Sequence, residues 1–524
     1  MSPTPTPPAR GSSMQHVIFC LTLLLSLITF AAGAPCQSYT NASPAPQRWS
    51  AVFGSAATLN GPLFITAPVV YDLTSQHVVG GVFVNATGAL YVTDLGAGQS
   101  ASLTTDFISV QGLLQVGASN CPLQSVFSFQ MNGGAPMPYV AHATATPLLK
   151  AIVVWMGGSI EMHGAKGLTP SSGGSGTSWT RLEGSLSTGA TVATLADNVH
   201  TGSINDWQVG DRIIVGTTDY DPYQTEQVVI TSFPAANRVS FSPPLLYNHF
   251  GAWTLGSDQR ASIGLLSRNI ILTTTVERWS GTSDAATAPG TLGTHIMLMS
   301  GFVACHVEGL DIQYGGQGDF QARYPFHWHL VGAAPAGTYF RASTVENSLF
   351  RGVTIHGTQY VTVEDVVAYN ITGHCWFLED GAEWGNVINH NLAALVRLKS
   401  TGFYLGSDKE PFGLSTYWLT NPNNTFTNNV AAGSEGTGVW WELRALVEGP
   451  SSQLGLYTGY QPYRAPQGPM LNNIWHSMYH GGNMEGDPFD GTDNVPAPNP
   501  TPQGPTHSQP THHPRILTPP QLSP

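Results

Sequence analysis

Charge is what this chain has least of. Only 10% of its 524 residues are Asp, Glu, Lys or Arg, against about 25% in an average soluble protein. Nineteen Lys and Arg oppose 32 Asp and Glu, for a formal charge of −13. There is no basic footprint for a nucleic-acid backbone, which excludes general nucleic-acid binding. A polyanionic ligand would have to meet local cations, not the field of the whole molecule. Cysteine is scarce too, at five residues with no Cys-x-x-Cys, which argues against a cysteine zinc site. No long stretch shows clean helical periodicity with caps. After one apolar run near the N-terminus, nothing is long and apolar enough to span a bilayer.

What is present is glycine, 58 residues, between short runs of Val, Ile, Thr, Tyr, Phe and Trp. This is an all-β composition with many turns. Met1–Ser13 is polar and Pro-rich. Val17–Ala32 is almost wholly apolar, and small residues, Ala31-Ala32-Gly33-Ala34, close it. Residues 1–34 therefore read as a secretory signal peptide, with a signal anchor at the cell surface as the alternative. Secretion suits the four later cysteines, Cys36, Cys121, Cys305 and Cys375. They permit two disulfides whose pairing stays open. It also suits four Asn-x-Ser/Thr sequons, at Asn41, Asn85, Asn370 and Asn423, as glycosylation sites.

The stretch Arg323–Asp380 organises the rest. It reads RYPFHWHL, then RGVTIHGTQ, then GHCWFLED. As strands with alternating side chains, one face carries Phe326, Trp328, Leu330, Val353, Ile355, Cys375 and Phe377. The other carries His327, His329, Thr354, His356, His374, Trp376 and Asp380. Val353 and Cys375 are 22 residues apart, the spacing of stacked coils in a parallel β-helix. The histidine face is expected on the outside of that solenoid. Asn residues at coil corners, among them Asn347, Asn370 and Asn391, suit left-handed turns or stacked amide ladders.

Several motifs, in order, resemble one family. LLQVGASNCP (Leu113–Pro122) and GGSIEMHG (Gly157–Gly164) resemble the eight-glycine (G8) domain. SWTRLEGSLSTGA (Ser178–Ala190), DWQVGDRIIVGTTDYDPYQTEQVVI (Asp206–Ile230), RYPFHWH, TIHGTQ, GHCWFLEDGAEWGNVINHNL and Thr420–Glu442 continue the match. The family is that of the cell-migration-inducing hyaluronidase and transmembrane-protein-2 proteins, and the resemblance covers about Trp49 to Gly482. It implies an N-terminal G8 β module followed by a right-handed parallel β-helix. The expected layout is G8 over 40–165, a linker and small β insert over 166–260, the β-helix over 261–490, and a disordered Pro-rich tail over 491–524. Ten prolines lie between Val495 and Pro524. Family members continue instead through further β structure.

The resemblance implies binding and endo-hydrolysis of a hyaluronan-type polysaccharide. The alternatives are a non-catalytic carbohydrate-binding or adhesion protein, or a β-helix polysaccharide lyase. Glycoside hydrolysis usually needs two carboxyl groups. Asp380 and Glu383 are the expected acid/base residues, with His329 and His374 beside them as catalytic groups. Arg323, His327, Arg351 and His356 are expected to hold substrate, and Trp376 to stack on a sugar ring. Glu379 falls on the apolar side by alternation, unless the turn at Gly381 rotates it outward. The histidines could instead hold a zinc-like ion with an open position. Taken singly, each reads more simply as a hydrogen-bonding group on stacked turns. The resemblance also implies calcium. Asp219, Asp221 and Glu226 form an acidic group, but their spacing matches no calcium loop and suits solvated turn carboxylates better.

Overall fold

The computed structural model describes residues 36–137, 148–278, 291–318, 320–398 and 413–486. The expected signal peptide and Pro-rich tail lie outside the described residues.

Short β-branched and aromatic segments stack in parallel, one coil on the next. They form an 11-stranded sheet and a 20-stranded sheet that resolves into two ladders. Together these three ladders wrap a right-handed β-helix around a single apolar core. The eight-glycine region is itself part of this solenoid. Ser159–His163 pairs with Ala304–Glu308, and Val126–Met131 pairs with Ile270–Thr273. At one corner of three coils a Cβ on Gly88, Gly112 or Gly158 would fall 2.0, 2.1 or 2.2 Å from a carbonyl oxygen of the coil below. That close approach is what only glycine allows.

Between these coils the chain leaves to build a six-stranded antiparallel sheet from segments between Trp179 and Leu265. This insert has its own core, including Trp207, Ile213, Val228 and Phe241. It packs on the solenoid through Trp179, Ile214 and Leu266 against Val367, Leu392 and Val430.

One ladder carries the histidines. In chain order its strands are β1 (Ile108–Val110), β2 (Ala151–Val154), β3 (His295–Met299), β4 (Phe326–Ala333), β5 (Val353–Gln359), β6 (Trp376–Leu378), β7 (Ser415–Leu419) and β8 (Val430–Leu443). Phe326, Trp328, Val353 and Ile355 point into the core, as expected. The next coil differs. Val353 pairs with Trp376, Thr354 with Phe377 and Ile355 with Leu378, a spacing of 23 rather than 22. A one-residue slip exchanges the faces of a strand. Trp376 is therefore 1% exposed, inside the solenoid and stacked on Tyr417 at 4.7 Å, and Phe377 points outward. The expectation of Trp376 as an exposed sugar platform is corrected accordingly. Alternation failed there because Cys-Trp-Phe-Leu is apolar throughout: Trp418 and Tyr324 cover the outward Phe377, so both faces are buried. Leu330 also leaves the core face. It sits at a bulge with φ of 53°, which turns its side chain out of register.

Of the cysteines, Cys36 and Cys121 form a disulfide, while Cys305 and Cys375 are free and buried. The corner asparagines do stack. Asn347 and Asn370 both have left-handed φ, and the Asn370 amide donates to Asn347 Oδ1 at 2.7 Å. Asn391, Asn429 and Asn473 continue such a ladder at another corner.

Candidate functional site

The outward residues of β4 and β5 bring His327, His329 and His356 together. Met299, His329 and His356 occupy one register position of successive strands, and Met297, His327 and Thr354 the other. Ring centroids lie 4.9 Å apart for His327–His329, 5.2 Å for His329–His356 and 5.9 Å for His327–His356. The face is outward, as expected, but it is not open surface. His327 and His356 are buried and His329 is half-buried.

The next coil supplies carboxylates. His356 Nε2 donates to Asp380 Oδ2 at 2.7 Å, and His356 Nδ1 lies 3.4 Å from Glu379 Oε2. The backbone N–H of Ser451 also donates to Asp380 Oδ2, at 3.0 Å. It comes from a strap that covers this end of the cluster. Burial alone would lower the pKa of His356, but Glu379, Asp380 and Glu383 outweigh it and push it up to about 9. Burial would raise Asp380, yet His356 and Ser451 hold it below the usual carboxylate range. Burial, with the charge of Asp380, raises Glu379. Burial, with neighbouring His329 and His356, keeps His327 far below an ordinary imidazole. The two adjacent carboxyl groups are thus driven in opposite directions, which is how sites separate an acid from a base.

Glu383 has another position. Its carboxylate is sealed and accepts from the N–H groups of Gly357 (2.6 Å), Asp380 (3.2 Å) and Gly381 (2.8 Å) and from Thr420 Oγ1 (3.1 Å). That arrangement ties the turn after β6 to the neighbouring coils and keeps this expected acid/base residue away from solvent, where burial and the charge of Asp380 push it up to about 7. His374 is likewise apart from the trio. Its ring stacks on Phe377 at 5.4 Å, and Nδ1 accepts from the Ser415 N–H at 3.0 Å. Arg323 and Arg351 are buried, not surface cations open to a uronate. The Arg351 guanidinium lies 4.2 Å over the Phe377 ring. Arg341 is on another ladder, bonded to Glu308 at 2.8 Å.

The residues suggested for calcium do not fit that ion. Asp219 accepts from the Tyr220 N–H and Asp221 from the Tyr223 N–H. Glu226 accepts from the N–H groups of Leu246 and Tyr247 and pairs with His249. Carboxylates aimed at N–H donors are turn caps, whereas calcium needs oxygens converging on a cation.

Two family models match the chain: the G8 domain over residues 64–182 and the CEMIP beta-helix over residues 291–483. The chain thus joins a G8 domain to a CEMIP-type β-helix and is similar in this to proteins of the cell-surface-hyaluronidase type. The human cell migration-inducing and hyaluronan-binding protein is 34% identical to this G8-domain protein over 334 residues, 56% of this chain and 23% of that one. Human cell surface hyaluronidase CEMIP2 is 32% identical over 319 residues, 53% and 22% of the two chains. Human Fibrocystin-L is 29% identical over 404 residues, 70% and 9%. This chain thus spans about a third or less of the curated relatives it matches. Among solved structures, the Gp54 tailspike of Acinetobacter baumannii bacteriophage AP22 aligns at 13% identity with a TM-score of 0.18, over 80% of this chain and 68% of that one. That likeness is too slight to bear on the site.

Sequence reasoning named Glu379 in this G8-domain protein but gave it no catalytic role, because alternation set it on the apolar side. It stands 23 residues after His356, the same interval that relates Val353 to Trp376, so the correct coil length would have put it at the site. Ser451 carried no signal, because it reaches the site by a chain excursion of 71 residues from Asp380. Among the described residues no helix is long and apolar enough to cross a membrane.

Proposed function

We propose that this chain is an extracellular protein that binds a hyaluronan-type polysaccharide and hydrolyses it internally, at the cluster of His356, Glu379 and Asp380. The observation that carries this reading is the pair of adjacent carboxyl groups, one on each nitrogen of a single buried imidazole. Their oxygens and the ring nitrogen lie within 4.8 Å of one another. Two carboxyl groups are what glycoside hydrolysis requires, one to protonate the leaving oxygen and one to assist the nucleophile. The curated relatives lend the substrate class, since two of them are named for hyaluronan or its cleavage. Glu379, whose carboxyl is the raised one of the pair while that of Asp380 is lowered, is the one assigned to protonate a glycosidic oxygen; its side chain lies about as deep as that of Asp380. Asp380 and His356 hold it and share the proton, and His329 borders the same opening.

The test is incubation of the purified chain with size-defined hyaluronan, chondroitin and pectin. Shortening of a polymer, lost at least about 100-fold in both Glu379→Gln and Asp380→Asn, is the expected result. Unchanged cleavage in both variants removes the site assignment. A second reading, carbohydrate binding without catalysis, is favoured by the depth of Asp380, which is 5% exposed. Retention on a polymer column without shortening selects it. An unsaturated product absorbing in the ultraviolet selects a lyase.

A further inference from the structure

The histidine trio shows a feature that polysaccharide chemistry alone does not use. His327 is 0% exposed. Its Nδ1–H donates to the Ala322 carbonyl at 3.2 Å, which leaves Nε2 as a bare lone pair. That Nε2 is buried and has no hydrogen-bond partner. A buried polar atom left without a partner costs about 1–3 kcal/mol, and such an atom in a well-packed region asks for an occupant. The neighbouring ring is oriented in the same way. His356 gives Nε2–H to Asp380, which turns Nδ1 toward the trio and toward Glu379, 3.4 Å away; a metal ion there would take the place of the proton that Nδ1 holds in the metal-free ring. One ligand nitrogen from each of His327, His329 and His356 can be chosen so that all lie within 4.8 Å of one another.

We propose that His327, His329 and His356 form a binding site for one divalent transition-metal ion of the zinc class. Three imidazoles suit zinc and its neighbours and suit calcium poorly, because calcium takes oxygen ligands. The Ala322 carbonyl and the Asp380 carboxylate occupy the positions of the outer partners that orient metal-binding histidines. Such partners fix which nitrogen faces the ion. Three protein nitrogens leave a further coordination position free for water or a ligand oxygen, and Glu379, 3.4 Å from His356 Nδ1, stands beside it. The local fold explains why the three meet. His327 and His329 are two apart on β4, hence on one face, and His356 pairs with His329 on the next strand.

The test uses the full chain without a polyhistidine tag, stripped with a chelator and dialysed. On addition of zinc, bound metal measured by mass spectrometry reaches one ion per chain, and a tenfold excess of calcium does not displace it. His329→Gln, the half-buried and so least disruptive change, lowers zinc affinity at least about 100-fold. His200→Gln, on the insert, leaves it unchanged. Cobalt substituted into the unaltered protein gives a visible spectrum of tetrahedral intensity, a readout that needs no variant to fold. Zinc uptake well below one per chain overturns the proposal, as does unchanged affinity in His329→Gln or a six-coordinate cobalt spectrum. Since no polymer is present, this outcome is independent of whether the polysaccharide reading holds.

Discussion

At the scale of single residues, His163 shows how the solenoid ties its coils together. It is buried, with Nδ1 2.7 Å from Glu308 and Nε2 3.1 Å from Glu161. Glu161 also meets His306 at 2.8 Å, and Glu308 meets Arg341 at 2.8 Å. Burial would lower His163, but its bonds to both carboxylates hold it above an ordinary histidine. Burial would raise Glu161, but its bonds to the two histidines hold it below an ordinary carboxylate. A raised histidine contributes stability that is complete below its unfolded pKa, about 6.5, and lost as pH rises through the folded value. A depressed carboxylate contributes stability present above its unfolded pKa, about 4.3, and lost as pH falls through the folded value. His163→Gln should therefore cost about 2 kcal/mol between roughly pH 4.5 and 6.5 and progressively less as pH rises beyond that. Thermal unfolding of both proteins across that range checks it, and a gap independent of pH would remove the imidazolium from the account.

The sequons separate at the same scale. Asn41 is exposed in a turn. The Asn370 amide is spent on Asn347, and its backbone is held at a φ of 57°. A glycan consumes one of those amide hydrogens and needs open space around the side chain. Expressed through a secretory route, the chain should carry sugar at Asn41 and none at Asn370, as read by peptide mass spectrometry. Sugar on Asn370 in folded protein would mean the ladder does not hold.

At the scale of the element, the coil length decides which side chains meet. Trp376→Ala opens a cavity beside Tyr417 in the solenoid core and should cost about 3–5 kcal/mol. Trp440→Ala, in the outward strip with Phe377 and Trp418, should cost clearly less. Denaturant unfolding distinguishes the two. Equal costs, or a Trp376 variant that keeps its stability and loses polymer binding, would return that ring to the outside. The same element shows how far sequence could be read. In β4 and β5 polar and apolar residues alternate, and Phe326, Trp328, Val353 and Ile355 fell where alternation put them, with His327, His329 and His356 opposite. In β6 alternation disappears, because aromatic rings cover the outward side as well. No period can be read from a uniformly apolar run, so Trp376 and Phe377 were exchanged and Glu379 was set on the wrong side. Burial of the histidines was invisible for a different reason. The groups that cover them, Ala322 and the strap around Ser451, arrive from loops that no strand pattern describes.

At the scale of the whole molecule, the antiparallel insert is clamped to the solenoid through Arg212. Its guanidinium reaches Asp311 at 2.9 Å and Glu346 at 2.5 Å, two buried carboxyl groups on consecutive coils. Burial pushes Asp311 well above the usual range and the charge of Glu346 adds to that. Burial also raises Glu346, although Arg212 opposes the shift. A carboxyl group whose folded pKa exceeds its unfolded one takes up a proton on folding, so its contribution to stability falls as pH rises through the folded value. Arg212 is the counter-charge that limits this loss near neutrality. Arg212→Met keeps the stem and removes the charge, which leaves two buried acids facing each other and should cost about 3–5 kcal/mol near pH 7.5. At pH 5, where both acids can be protonated in the folded state, the cost should shrink. Proteolytic cutting of the insert should follow the same order, faster in the variant at pH 7.5 and near wild type at pH 5, since the insert also rests on Trp179, Ile214 and Leu266. A variant equally destabilised at both pH values would show that the insert is held by this apolar seam alone, and that the buried charges are spectators.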